Sequence, residues 1–144
     1  MAILTIEDLV GRLLVVGLPG PALSPDDAEH LRAMRAGGFI PFERNYVSPA
    51  QFRALLGRIR EAVDRDVLVM VDHEGGRVVR LTNGVTRFPD ALTVGRTQPP
   101  QEVERQGAVE ARELKGLGIR VNLAPCVDVL VEGARVCAGK EREQ

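Results

Sequence analysis

The sequence predicts an α/β fold with parallel strands, and three observations support this. Helix-start signals alternate with short apolar runs along the chain, as is typical of repeated strand–helix units. Residues 67–71, VLVMV, are apolar without alternation, which is typical of a strand in a parallel sheet covered on both faces. Neither a low-complexity stretch nor a polar linker interrupts this order. We therefore expect one α/β domain built from right-handed strand–helix–strand units.

Four helices are predicted, three of them from capping patterns. A polar N-cap with a polar partner three residues later satisfies the free N–H groups of a helix start. The pairs are Thr5 with Asp8, Ser24 with Asp27, and Ser48 with Gln51. The second helix is expected to end at Gly37–Gly38. A fourth is expected from about Gln101 to Leu117, with Gly118 after it.

Strands are expected between these helices. GFIPF (38–42) predicts a strand of about five residues, DVLVMVD (66–72) is the clearest strand, and IRVNLAPCVDV (119–129) is expected to be the last. LLVVGLPG (13–20) fits the end of the first helix, a short strand, or both in sequence. Residues 73–98 contain TNG and FPD, both turn-prone, and are expected to form a long connection.

Composition limits the classes of partner. Nineteen basic against twenty acidic residues leave a net charge of −1, so nothing electrostatic favours nucleic acid or an anionic membrane. Glycines and prolines within residues 17–21 interrupt the best apolar run, which is too short to span a membrane. The start, MAILTIEDLV, lacks a basic signal-peptide region. Cys126 and Cys137 lack metal-ligand spacing. We therefore expect a cytoplasmic protein with free thiols.

The end of the clearest strand carries the candidate site. VLVMVDHEGGRVVRL (67–81) runs from apolar residues into Asp72, a glycine pair and two arginines. Ligands of parallel α/β folds bind at the carboxyl ends of strands. Asp72 is an acceptor that can hold two adjacent hydroxyls, while Arg77 and Arg80 supply donors. Glycines let the backbone turn sharply or approach a ligand. This set suits a polyhydroxylated ligand such as a sugar. The alternative is an ordinary turn with a structural salt-bridge cluster.

Other chemical motifs do not fit. HEGGR lacks the second histidine of a zinc protease helix, since Arg77 stands there. GLPGPAL and GLGIRV lack the spacing of phosphate-binding loops, and no Gly-x-Ser-x-Gly elbow occurs. An unrelated doubly wound domain would be expected to carry a nucleotide-cradling glycine loop. We therefore expect neither a metal nor a cofactor.

VDHEGGRVVRL, together with GGFIPFERNYVSPAQFRAL before it and GAVEARELKGLGIRVNLAPCVDV after it, resembles glycoside hydrolase family 3. The bacterial β-N-acetylhexosaminidases are the subgroup it is most similar to. The resemblance runs from about Thr5 to Asp128. It implies the first part of a (β/α)8 TIM-type barrel. Because such a barrel takes about 250 residues, the barrel is expected to be incomplete in 144.

The resemblance also implies roles for individual residues. Asp72 would contact hydroxyls of the terminal sugar in the −1 subsite, and Arg80 would bind the same sugar. The other matching positions would support the site: Glu74, Gly75, Gly76 and Arg77 as its turn, Arg44 and Asn45 as a strand-end segment, and Asp128 as packing support.

Family members are retaining glycosidases with a covalent glycosyl-enzyme intermediate. The resemblance implies hydrolysis of terminal N-acetylglucosamine from cell-wall-derived sugars. The family's nucleophilic aspartate and its acid/base pair lie beyond the equivalent of Asp128, so we assign no catalytic residue here and expect this chain alone to be inactive. A non-catalytic sugar-binding remnant and a β-glucosidase-type member are the alternatives.

Two expectations follow from the length. Residues 1–128 would form the partial barrel domain, and residues 129–144, rich in charge towards the end, a divergent and poorly ordered tail. An open barrel leaves unpaired backbone groups at its edge, which favours self-association.

Overall fold

The computed structural model describes residues 4–128. It contains four parallel strands in one sheet, whose spatial order β1-β2-β3-β4 follows the chain. The strands are β1 (Val15–Val16), β2 (Gly38–Phe39), β3 (Leu68–Val71) and β4 (Val121–Asn122). The helices are α1 (Ile6–Leu13), α2 (Pro25–Met34), α3 (Pro49–Val63), α4 (Ala91–Thr97) and α5 (Pro100–Gly116). A 3-10 turn spans Glu43–Asn45. The predicted parallel α/β class is confirmed, with the strand order of the first part of a barrel.

The predicted N-caps are confirmed, with one correction. Thr5 and Ser24 form complete capping boxes with Asp8 and Asp27. At the third helix the Gln51 N–H donates to Ser48 Oγ at 3.2 Å. The Gln51 side chain does not return to Ser48, because its Oε1 accepts from the N–H of the preceding Val47 at 2.9 Å. That capping box is therefore only half formed.

Helix α2 ends earlier than predicted. Arg35 adopts the left-handed conformation, with φ 53°, and caps the helix before the glycine pair is reached. Its guanidinium donates to Asp8 Oδ1 at 2.9 Å and Thr5 Oγ1 at 3.0 Å, which ties this turn to the start of α1. Gly37 instead permits close packing, since a Cβ there would lie 2.1 Å from the carbonyl oxygen of Arg12.

The connections also differ from the prediction. Helix α1 ends at Leu13 and β1 follows, so the segment 13–20 holds both elements in sequence. β2 and β4 each pair over two residues, fewer than predicted. The long connection contains α4, which begins where Asp90 Oδ1 accepts the N–H of Thr93 at 2.9 Å. FPD, predicted as turn-prone, thus leads into a helix, with Asp90 as its N-cap.

Among the described residues, the core lies on the side of the sheet that the helices cover. In β3, Val69 and Val71 are fully buried, whereas Leu68, whose side chain points to the opposite face, is 41% exposed. Val15 pairs with Gly38, and Gly38 with Leu68, so this row shares one face. We call this face, with Val15, Leu68 and Met70, the open face, and the opposite one the helix face. The prediction that both faces of β3 are covered is wrong for the described residues. The helices within residues 4–128 pack against the helix face and leave Leu68 on the open face exposed.

Helix α3 carries much of that cover. Its buried residues recur at helical spacing, and all except Ala62 join the strand valines in one hydrophobic cluster. They are Phe52, Leu55, Leu56, Ile59 and Ala62.

Among residues 4–128, no helix combines the length and apolar character needed to cross a membrane.

Candidate functional site

Asp72 and Arg80 lie together where β3 ends. Asp72 follows the last strand residue directly, and Arg80 Nη2 lies 3.7 Å from Asp72 Oδ2. Their side chains are 29% and 28% exposed, so solvent reaches both. A separation of 3.7 Å is longer than a hydrogen bond. The pair is therefore held by charge while its oxygens and N–H groups can still bind a ligand.

The ring of Phe42, three residues after the end of β2, contacts two arginines, one of which is Arg80. The Arg44 guanidinium lies 4.6 Å from the centre of the Phe42 ring, and that of Arg80 lies 5.5 Å from it, both within cation–π range. Arg80 Nε is buried and has no hydrogen-bond partner among residues 4–128. The site therefore presents the Asp72 carboxylate next to the Arg80 guanidinium, and the Phe42 ring joins Arg80 to Arg44.

Asn45 fastens the ends of β1 and β2 to each other. It is completely buried, and its Nδ2 donates to the carbonyls of Leu18 at 3.0 Å and Gly20 at 2.7 Å. Its Oδ1 accepts the N–H of Phe42 at 2.8 Å. Arg44 Nε donates to the same Leu18 carbonyl at 2.9 Å. Asn45 thus supports the site rather than lining it, while Arg44 both supports and borders it.

The glycine pair forms a tight turn against the chain itself. Gly75 and Gly76 have φ of 84° and 56°, a region that favours glycine. A Cβ on Gly75 would lie 2.2 Å from the carbonyl oxygen of Pro89, and one on Gly76 would lie 2.7 Å from Asp90 Cβ. The Gly76 N–H donates to the carbonyl of Phe88 at 2.8 Å. Of the two roles expected for these glycines, the structure shows the sharp turn, with residues 88–90 as the close neighbour.

The remaining predicted residues are Glu74, Arg77 and Asp128. The Glu74 N–H donates to the Val78 carbonyl at 2.9 Å, which closes the turn. Arg77 is exposed. Asp128 is exposed at the end of the described chain, with its Oδ2 3.5 Å from Cys126 Sγ. Its packing role stays a prediction.

Three polar residues behind Asp72 were not predicted. His73 is only 2% exposed, and its N–H donates to Asn122 Oδ1 at 3.1 Å. Asn122 Nδ2 donates to the His73 carbonyl at 3.2 Å and to Glu110 Oε1 at 3.1 Å. Burial lowers the pKa of His73 and raises the pKa of Glu110. The available signal was Asn122 itself, an amide at the end of a predicted apolar strand.

These three residues line a cavity of the described chain. It has a volume of about 500 Å³ and lies on the helix face, between α4, α5 and the ends of β3 and β4. Its other walls are mostly apolar, with Val94, Val103 and Leu114 among them. Within residues 4–128 no cluster of three or more His, Cys, Asp or Glu side chains is placed to hold a metal ion.

Comparison with known proteins decides the family. Residues 5–140 match the glycosyl hydrolase family 3 N-terminal domain. The chain belongs to this family. The match continues past residue 128. The domain boundary predicted at residue 128 lies at the limit of the described residues, and the predicted tail, residues 129–144, lies outside them. Both stay predictions.

Individual family relatives agree with this. A β-hexosaminidase of Methylococcus capsulatus is 44% identical over 115 residues, which is 78% of this chain and 34% of the relative. A family 3 β-N-acetylglucosaminidase from Paenibacillus sp. str. FPU-7 superposes with a TM-score of 0.78 at 33% identity, over 85% of this chain and 24% of that one. A β-N-acetylhexosaminidase from Beutenbergia cavernae superposes with a TM-score of 0.76 at 26% identity, over 87% and 39%. The chain thus spans about a third of the length of the curated relatives it matches.

Proposed function

We propose that this chain is part of a β-N-acetylhexosaminidase of glycoside hydrolase family 3, and that Asp72 and Arg80 bind the terminal sugar of its substrate. The observation that carries this proposal is the partly exposed Asp72–Arg80 pair at the carboxyl end of β3, in a chain of this family. A carboxylate accepts hydrogen bonds from two neighbouring hydroxyls, and a guanidinium donates to ring or substituent oxygens. The site therefore suits a polyhydroxylated ring better than an apolar or anionic ligand.

The proposed reaction is hydrolysis of terminal N-acetylglucosamine with retention of configuration. Retention requires a nucleophile that forms the glycosyl-enzyme intermediate and a second group that protonates the leaving oxygen. We propose that residues following Asp128 in a full-length protein, together with closure of the barrel, supply both groups. The names and lengths of the relatives support this, because each contains about three times the matched length.

The same proposal covers the cellular context. We propose a cytoplasmic enzyme acting on cell-wall-derived sugars. The exposed Cys126 supports this, because it forms no disulfide within residues 4–128 and free thiols persist in reducing compartments. We also propose that the 144-residue chain self-associates through its open face and sheet edges. Exposed apolar side chains at Val15 and Leu68 support this.

Sugar binding by the chain tests the site. In saturation-transfer NMR with N-acetylglucosamine, Asp72→Asn should weaken binding by about tenfold to a hundredfold, because losing hydrogen bonds to a charged group costs about 1.5–3 kcal/mol. Asp26→Asn is the matched control, since Asp26 is exposed on α2. It should leave the dissociation constant unchanged.

Two outcomes separate the alternatives. Equal binding of glucose and N-acetylglucosamine would favour a β-glucosidase-type member, since the acetamido group would then contribute nothing. Binding by Asp72→Asn as tight as by the unsubstituted chain would show that the site assignment is wrong.

A further inference from the structure

The backbone that carries Asp72 is held from the neighbouring strand by a side chain. Strand pairing between β3 and β4 ends where the Leu123 N–H donates to the carbonyl of Val71 at 2.8 Å. Two residues beyond Val71, both backbone groups of His73 bond to the Asn122 side chain, at 3.1 and 3.2 Å. The amide of Asn122 accepts and donates as a paired strand residue would, so it extends the pairing past the end of the strand.

A second contact orients that amide. Asn122 Nδ2 donates to Glu110 Oε1 of α5 at 3.1 Å, in addition to the His73 carbonyl. Both amide protons are therefore used, and the amide has one orientation that satisfies all three partners. Burial raises the pKa of Glu110, with the hydrogen bond from Asn122 acting in the opposite direction and Glu113 adding to the rise.

The position of Asp72 follows from this bridge. Asp72 lies between Val71, whose carbonyl is bonded to Leu123, and His73, both of whose backbone groups are bonded to Asn122. The peptide units on both sides of its Cα are thereby held, which limits where its carboxylate can point. Arg80 Nη2 lies 3.7 Å from that carboxylate, so a shift of the 71–73 backbone would change this contact.

We propose that Asn122, oriented by Glu110, is a positioning residue for the sugar-binding carboxylate of Asp72. This inference rests on the proposed function. The Asp72–Arg80 pair lies at the end of β3, where the sugar is proposed to bind. Asn122 contacts the backbone of His73 and lies on the helix face. Its effect on binding is therefore indirect, through the 71–73 segment.

Two measurements on the same isotope-labelled chain test the proposal. Asn122→Ala should speed hydrogen exchange of the His73 amide at least about tenfold, because that N–H loses its acceptor. It should also weaken N-acetylglucosamine binding severalfold. Val67→Ala is the control for general destabilisation: Val67 is buried in the same segment but at its opposite end. This control should lower the melting temperature without changing the sugar affinity of the folded chain.

Variants of Glu110 provide a milder and independent arm, which stays informative if Asn122→Ala fails to fold. Glu110→Gln retains an oxygen acceptor for Asn122 Nδ2 and should preserve both exchange and affinity. Glu110→Ala removes the acceptor and should shift both in the direction of Asn122→Ala, by a smaller factor.

The results distinguish this inference from the proposed function. Unchanged His73 exchange in Asn122→Ala or Glu110→Ala would overturn the positioning role. Faster exchange with unchanged sugar affinity, in a chain whose binding requires Asp72, would overturn it as well. Faster exchange in a chain that binds no sugar, or binds it without Asp72, would refute the proposed function and leave the backbone bridge in place.

Discussion

Leu68 and Val69 are neighbours in β3, yet they lie on opposite faces of the sheet and in opposite surroundings. Val69 is fully buried in the cluster that α3 covers, while Leu68 is 41% exposed on the open face. Their side chains are equally apolar, so hydrophobicity along the strand does not distinguish them. The difference shows that burial of a parallel strand is decided by which faces other elements reach.

The same alternation continues past the end of the strand, where it separates chemistry from support. Asp72 is partly exposed beside Arg80, whereas His73 is buried beside Asn122. One residue can therefore meet a ligand while the next holds the backbone. Three substitution pairs test how far this contrast extends.

The largest effect is expected for a leucine on the helix side. Leu56→Ala should lower the free energy of unfolding by about 2–5 kcal/mol, because Leu56 is buried and its removal leaves a cavity. Leu68→Ala should cost less than about 1 kcal/mol, since the side chain already meets solvent. Denaturant unfolding monitored by circular dichroism measures both.

Leu68→Ala also tests the open face as a surface for self-association. Sedimentation velocity over a concentration series should show weaker association than for the unsubstituted chain. Similar unfolding costs for the two leucine variants would contradict the contrast between the faces.

A smaller effect on stability is expected when a glycine is replaced by alanine. Its sign should depend on whether the new Cβ has close neighbours. Gly75→Ala should destabilise by roughly 1–3 kcal/mol, because φ is 84° and the new Cβ would meet the Pro89 carbonyl. Gly57→Ala in α3 has no heavy atom within 4 Å of the new Cβ and should stabilise by about 0.5–1 kcal/mol, since alanine favours a helix. Thermal melting gives both signs. A stable Gly75→Ala chain would show that the turn can open at little cost.

The smallest effect concerns charge on the helix face. Burial lowers the pKa of His73 below its usual 6.5, so the unfolded chain binds a proton that the folded chain resists. Stability should therefore fall as pH drops below about 6.5 and level off below the folded-state pKa, with a slope of at most about 1.4 kcal/mol per pH unit. The raised pKa of Glu110 has the opposite sign, because the folded chain then holds the proton more tightly.

A histidine pair isolates this contribution. His73→Gln should flatten the loss of stability between pH 7 and 5, and His30→Gln, at an exposed histidine of α2, is the control for replacing a histidine on the surface. Urea unfolding at several pH values measures the slopes. An unaltered slope in His73→Gln would mean that His73 takes up its proton equally in both states.

The amino-acid sequence by itself determined the local features of this protein. Caps such as Thr5 with Asp8 depend on residues three apart, so their spacing predicted the helix starts. The apolar run before Asp72 predicted a strand, and the strand–helix order predicted a parallel sheet. The motif from Asp72 to Arg80 predicted the candidate site, because its residues are close in sequence.

Tertiary structure decided what depends on distant segments. Covering one face of β3, packing Gly75 against Pro89 and bridging His73 through Asn122 each join residues well separated in the chain. The early end of α2 at Arg35 likewise follows from its contacts with Thr5 and Asp8, 30 and 27 residues away. Capping and periodicity report on neighbours within a few residues. Burial and hydrogen-bond satisfaction depend instead on which segments the fold brings together.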